Sequence, residues 1–129
     1  MSITVKIVTP QRIAYEGSAD SVRVPGWLGE YGVLEHHASM LTLSQPGVLS
    51  LANGSETTRF VVDRGFVEVG PKDISVMVQQ CVRVDQIDKE EVQKILDKSL
   101  AELSSLSTNA PTYEALRKKV EYTRVLARA

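Results

Sequence analysis

The hydrophobic period of the chain changes once, near Val84, and this change limits its architecture more than any other feature. Before it, apolar residues recur at every second position. Ile3, Val5 and Ile7 alternate with Ser2, Thr4 and Lys6, which is the period of a half-buried strand. The same alternation returns in ADSVRV, MLTLS, VLSLA, TTRFVV, FVEV, ISVMV and CVRV. Turn residues separate the runs: Thr9-Pro10, Glu16-Gly17, Pro25-Gly26, Gln45-Pro46-Gly47, Asn53-Gly54, Arg64-Gly65 and Gly70-Pro71. Asn53-Gly54 between two alternating runs is a strong hairpin signal. Short strands at this spacing predict an antiparallel β-sandwich or flattened barrel of about ten strands.

After Val84 the period becomes helical. Asp88-Lys89-Glu90-Glu91 has the form of a capping box, with Asp88 placed to accept from the Glu91 amide. Val92, Ile95, Leu96, Leu100 and Leu103 then mark one helical face. The segment SSLSTNAP interrupts the pattern near residue 104. Pro111 suits the first turn of a second helix, and Asn109 is a candidate cap before it. Tyr113, Leu116, Val120 and Leu126 give this helix a broken apolar stripe. The fold class is therefore α+β by segregation. A β-sandwich over residues 1–86 precedes an antiparallel α-helical hairpin over residues 87–129.

Charge divides along the same line. Residues 88–105 hold five acids and three bases, and residues 112–129 hold five bases and two acids. The second helix is thus suited to leave its sandwich for an acidic partner. Over the whole chain the net charge is −1, which argues against a nucleic-acid or membrane-surface role. The start, MSITVKIVT, lacks the basic and long apolar regions of a signal peptide. No apolar run approaches the ~18 residues of a membrane span.

Candidate chemistry fails on spacing. VPGWLGEYGVLEHH, residues 24–37, carries glycines at 26, 29 and 32. A dinucleotide fingerprint needs a helix after its glycines, and here a strand-like MLTLS follows. His36 and His37 are the chain's two histidines. Neighbours on a strand point to opposite faces, so together with Glu30 and Glu35 they make a poor metal set. No serine lies in a G-x-S-x-G elbow. Cys81, the single cysteine, reads as a small core residue. These residues predict a non-catalytic interaction or regulatory protein. Trp27, Leu28, Tyr31, Val33 and Leu34 are crowded in a turn-rich segment and form either core or a protein-binding patch. A free-standing β-sandwich binding module is the alternative to a part of a larger assembly.

The segment VRVPGWLGEYGVLEHHASMLTLSQPGVL, residues 22–49, resembles the epsilon subunit of bacterial and plastid F-type ATP synthases, the counterpart of the mitochondrial delta subunit. The matching motifs are Gly29-Glu30-Tyr31-Gly32, Val33-Leu34, His37-Ala38 and Pro46-Gly47, with VVDRGFVEV in support. Glu35 and Ser39 stand where the family has prolines, which restrain this loop. The resemblance implies a non-catalytic rotor subunit in the central stalk, serving ATP synthesis and hydrogen ion transport. Its implied partners are the gamma subunit, the membrane ring of proton-carrying subunits, and the alpha and beta subunits of the catalytic head. Glu30 and His37 fall at the family's ring contact, with Tyr31, Val33 and Leu34 beside them. The C-terminal helices would act as a brake on ATP hydrolysis, with Arg117, Lys118, Lys119, Arg124 and Arg128 facing the acidic head. Some members bind ATP at the start of the first helix through an arginine. Glu91 stands at that position here and repels phosphate, so no cofactor is expected. The implied location is the cytoplasmic face of a bacterial cell membrane, with the plastid thylakoid as the alternative.

Overall fold

A computed structural model describes the backbone of residues 3–26, 29–34 and 40–129, and the side chains of 3–25 and 40–129. Among the described residues, ten strands run in chain order: β1 (Ile3–Val8), β2 (Ile13–Ala19), β3 (Ser21–Gly26), β4 (Gly29–Leu34), β5 (Met40–Ser44), β6 (Gly47–Asn53), β7 (Glu56–Val62), β8 (Gly65–Val69), β9 (Asp73–Val78) and β10 (Cys81–Arg83). A short 3-10 turn (Val84–Gln86) leads to helices α1 (Lys89–Ser105) and α2 (Tyr113–Arg128).

Hydrogen bonding is continuous in the order β10-β7-β6-β3-β5-β8-β9-β1-β2, with β4 paired to β3. Among the described residues, β3 and β5 pair only at Gly26 with Ser44. There the sheet folds over into two layers, one built on β3, β4, β6, β7 and β10 and the other on β1, β2, β5, β8 and β9. Val22, Val24, Leu49, Leu51, Phe60, Val62 and Cys81 of the first layer meet Ile3, Val5, Ile7, Val67, Val69, Ile74, Val76 and Val78 of the second in one core. Period-two alternation dictates this selection, since only every second side chain can face inward. The rings of Tyr15 and Phe60, 5.4 Å apart at an interplanar angle of 62°, bridge the layers edge to face. One pairing departs from the expected antiparallel rule: β1 runs parallel to β9. These strands are far apart in sequence, so no tight turn constrains their direction.

The β6–β7 hairpin turns at Gly54, whose φ of 61° favours glycine. The Asp20 carboxylate accepts from the Gly54 amide at 2.6 Å. The segment GEYGVL, read from sequence as part of a turn, is instead strand β4, paired antiparallel with β3 from Ser21–Leu34 to Gly26–Gly29. Its glycines at every third position had hidden its strand character. Asp88 caps α1 as expected, accepting from the Glu91 amide at 3.2 Å. Three helical expectations are corrected. Pro111 lies before α2, which begins at Tyr113, and not in its first turn. Ile95 is exposed, and Ser99 is buried beside Leu96 on the inner face of α1. Asn109 does not cap α2: Thr112 holds that position, and the Ser107 hydroxyl accepts from the Asn109 amide within the connection.

Candidate protein-interaction surfaces

The two outer faces of the sandwich differ. On β7, Phe60 and Val62 face the core, so Val61 between them points outward. Val61 is nevertheless fully buried. Helix α2 covers this face, contacting β6 and β7. Val120 and Tyr122 of α2 are buried with it, and the Tyr122 hydroxyl donates to the Val61 carbonyl at a long 3.5 Å. Burial, helped by nearby Cys81 and Asp63, raises the Tyr122 pKa above its ordinary value. Sequence reading missed Tyr122. Its position two residues beyond Val120 falls outside a helical stripe, and only the docked sheet explains its burial.

Polar contacts fasten this helix. Arg64, at the turn between β7 and β8, donates to Glu121, which also accepts from Arg117. Arg117 donates to both oxygens of Glu114, at 3.0 and 2.9 Å. These bonds hold the Glu114 carboxyl below its ordinary pKa and the Arg117 guanidinium above. At the opposite end, Lys89 of α1 donates to the carbonyls of Leu126, Ala127 and Ala129, closing the hairpin. A cation there satisfies carbonyls that the helix leaves unpaired.

Among the described residues, the other outer face carries no helix. In the strand register Leu43 lies opposite Phe66, Phe66 opposite Met77, Met77 opposite Val8, and Val8 opposite Ile13. Five adjacent strands thus present one apolar row, about 19 Å long at ordinary strand spacing. Phe66 is 53% exposed, Ile13 54%, Leu43 42% and Met77 40%. Leu41 extends the row along β5 at 68%. The adjacent row is mostly polar, with Glu68 opposite Ser75, Ser75 opposite Lys6 and Lys6 opposite Glu16. A contiguous apolar strip with a polar border has the form of a protein interface.

Of the ring-contact candidates, Glu30, Tyr31, Val33 and Leu34 lie on β4, which pairs with β3. His36 and His37 lie outside the described residues, as do Trp27, Leu28, Glu35 and Ser39. The five basic candidates share α2 but differ in availability. Arg117 is engaged by Glu114 and Glu121, Arg128 donates to the Arg124 carbonyl at 3.4 Å, and Lys118, Lys119 and Arg124 are exposed. Cys81 lies in the core, where burial pushes its thiol up to about 11 against the opposing pull of Arg12. A group so poorly ionised is no nucleophile at neutral pH.

The model of the ATP synthase delta/epsilon chain β-sandwich domain matches residues 2–84. The chain belongs to this ATP synthase family. Members named ATP synthase epsilon chain include that of Magnetococcus marinus, 30% identical over 95% of this chain and 89% of that one. That of Hydrogenobaculum is 32% identical over 91% and 85%. The chloroplastic epsilon chain of Cyanidium caldarium is 30% identical over 91% and 88%. As an epsilon-type chain it is a non-catalytic subunit. The fold recurs in a chain of the Euglena gracilis mitochondrial ATP synthase, solved as OSCP/F1/c-ring, with TM-score 0.83 and 19% identity over 98% of this chain and 80% of that one. A chain of the Tetrahymena thermophila ATP synthase central stalk/c-ring matches with TM-score 0.69 and 17% identity over 99% and 96%. Among the described residues, no helix is long and apolar enough to cross a membrane.

Proposed function

We propose that this subunit is a rotor part of the central stalk, joining the gamma subunit and the membrane ring to the alpha and beta subunits of the catalytic head. The observation that carries this reading is the apolar row on β5, β8, β9, β1 and β2, exposed among the described residues on the layer that α2 does not cover. We assign that row to gamma. A two-layer sheet is stiff, as a torque-bearing element must be. The ring contact is assigned to Glu30, Tyr31, Val33 and Leu34 of β4, together with His37, which follows in sequence. The location that follows is peripheral, at the cytoplasmic face of a bacterial cell membrane. Phe66→Asp in the full chain tests the reading by placing a charge at the centre of the row. The variant should fold and fail to co-purify with gamma. Recovery of gamma at the wild-type ratio would refute the assignment.

The C-terminal unit, residues 87–129, is proposed as a brake on ATP hydrolysis that leaves the sandwich and offers Lys118, Lys119, Arg124 and Arg128 to an acidic surface of the head. Arg117 becomes available only when its contacts with Glu114 and Glu121 open. Removing residues 88–129 should leave the complex assembled at micromolar concentration and raise its hydrolysis rate; an unchanged rate would exclude the brake. No nucleotide is assigned to the start of α1. Asp88 already occupies the helix N-terminus, and Glu90 and Glu91 follow it, so phosphate would meet three carboxylates. Calorimetric titration with ATP checks this, with no saturable heat expected.

A further inference from the structure

The apolar row does not end on open sheet. At Leu43 and Phe66 it runs into a groove of about 470 Å³ whose far wall is Lys118 of α2. The remaining lining is Ser44, Gln45, Asp63, Arg64, Gly65 and Gln79. Leu43 and Phe66 therefore belong to both surfaces. Lys118 supplies one side, and that side is present only while the hairpin lies on the sandwich.

Its charges are unevenly satisfied. The Asp63 carboxylate accepts from the Arg64 amide at 2.7 Å. The Arg64 Nη2 atom donates to Glu121. Arg64 Nη1 is buried, has no hydrogen-bond acceptor among the described residues, and stands 3.8 Å from Asp63 Oδ1. Lys118 makes no ion pair among the described residues. Lys118 thus brings an ammonium to a groove whose one lining carboxylate is already in use, while Arg64 Nη1 is closed off by burial. A carboxylate offers the strongest charge-assisted match to such an ammonium.

We propose that this groove is the second half of the gamma-docking surface: the protein that covers the apolar row inserts an acidic side chain between the sheet and α2, where Lys118 receives it. Because one wall is α2, the partner binds the closed hairpin more tightly than the open one. By linkage, the bound partner then holds the hairpin closed to the same extent. The inference rests on the assignment of the row to gamma, and extends it by making gamma a regulator of the hairpin.

The test uses the full chain and purified gamma, with Lys118→Glu and Phe66→Asp compared with wild type. Lys118 is exposed, so its reversal should leave the fold intact, which circular dichroism checks. Lys118→Glu should weaken gamma binding about tenfold, a loss typical of an interfacial charge pair. Gamma should also slow amide exchange across Tyr113–Arg128 in the wild type. If Lys118→Glu binds within twofold of wild type while Phe66→Asp fails to bind, the groove proposal is overturned and the row assignment stands. If gamma leaves exchange in α2 unchanged, the linkage is overturned. If Phe66→Asp binds normally, the row assignment itself is wrong.

Discussion

Tyr122→Ala should separate the hairpin from the sandwich without unfolding either. Tyr122 is 3% exposed, and it packs in the α2–sheet contact rather than in the core between the layers. Truncating a buried aromatic to alanine costs about 3–5 kcal/mol in a core. The Tyr122 hydroxyl adds little, because its 3.5 Å separation from the Val61 carbonyl makes a weak bond. Taking the lower figure, about 3 kcal/mol corresponds to roughly a 150-fold shift in the docking equilibrium. Hydrogen exchange read residue by residue is the assay, since it reports local opening free energies. Amides of Tyr113–Arg128 should exchange about a hundredfold faster, while those of β9 (Asp73–Val78) keep their wild-type rates. Tyr122→Phe should stay within a few-fold of wild type. Equal acceleration in β9 and α2 would refute the reasoning, because sandwich and hairpin would then open as one unit. No acceleration in α2 would show that Tyr122 does not hold it.

Three further outcomes are expected. Gly65→Ala should destabilise the sandwich by about 3 kcal/mol, because its Cβ would lie 1.9 Å from the Met77 carbonyl oxygen, a backbone atom with no room to yield; thermal melting should show a fall of roughly 10 °C or more. Lys89→Met should fray the last turn of α2 by removing the donor to the Leu126, Ala127 and Ala129 carbonyls, at a cost of up to about 1 kcal/mol, visible as faster exchange confined to the end of α2. Stability should fall as pH rises from about 9 toward 11. The Cys81 thiol is raised from 9.0 to about 11, so the unfolded chain releases this proton first, and its release favours unfolding across that window. Urea titrations at pH 8 and 10 should show the loss, and Cys81→Ala should reduce it. An equal loss in the variant would assign the effect elsewhere.

Much of this architecture was legible in the residues. Alternation in ITVKIV, FVEV and DISVMV identifies strands and assigns Ile3, Val5, Ile7, Val67, Val69, Ile74, Val76 and Val78 to one face, because a strand has only two faces. Asp88 announces the start of α1 through the chemistry of its carboxylate and the Glu91 amide. The motifs around Gly29-Glu30-Tyr31-Gly32 pointed to the family that the comparison of residues 2–84 established. β4 was misread because glycines carry no side chain to display alternation, and Ile95 because a helical stripe does not say where its partner ends.

The linear order of residues dictates which positions alternate, where the period changes and how charge divides between the helices. These are local properties, fixed by side-chain direction and covalent spacing. It could not decide which outer face of the sandwich the hairpin would cover. Val61 on β7 and Phe66 on β8 are both apolar residues that point away from the core, yet one is fully buried and the other 53% exposed. That difference arises only when α2 packs on β6 and β7 and Arg64 meets Glu121, 57 residues away. Exposure depends on what lies across the surface, and strand register aligns side chains that are far apart in sequence. The row from Leu43 to Ile13 and its groove beside Lys118 therefore belong to the tertiary structure alone.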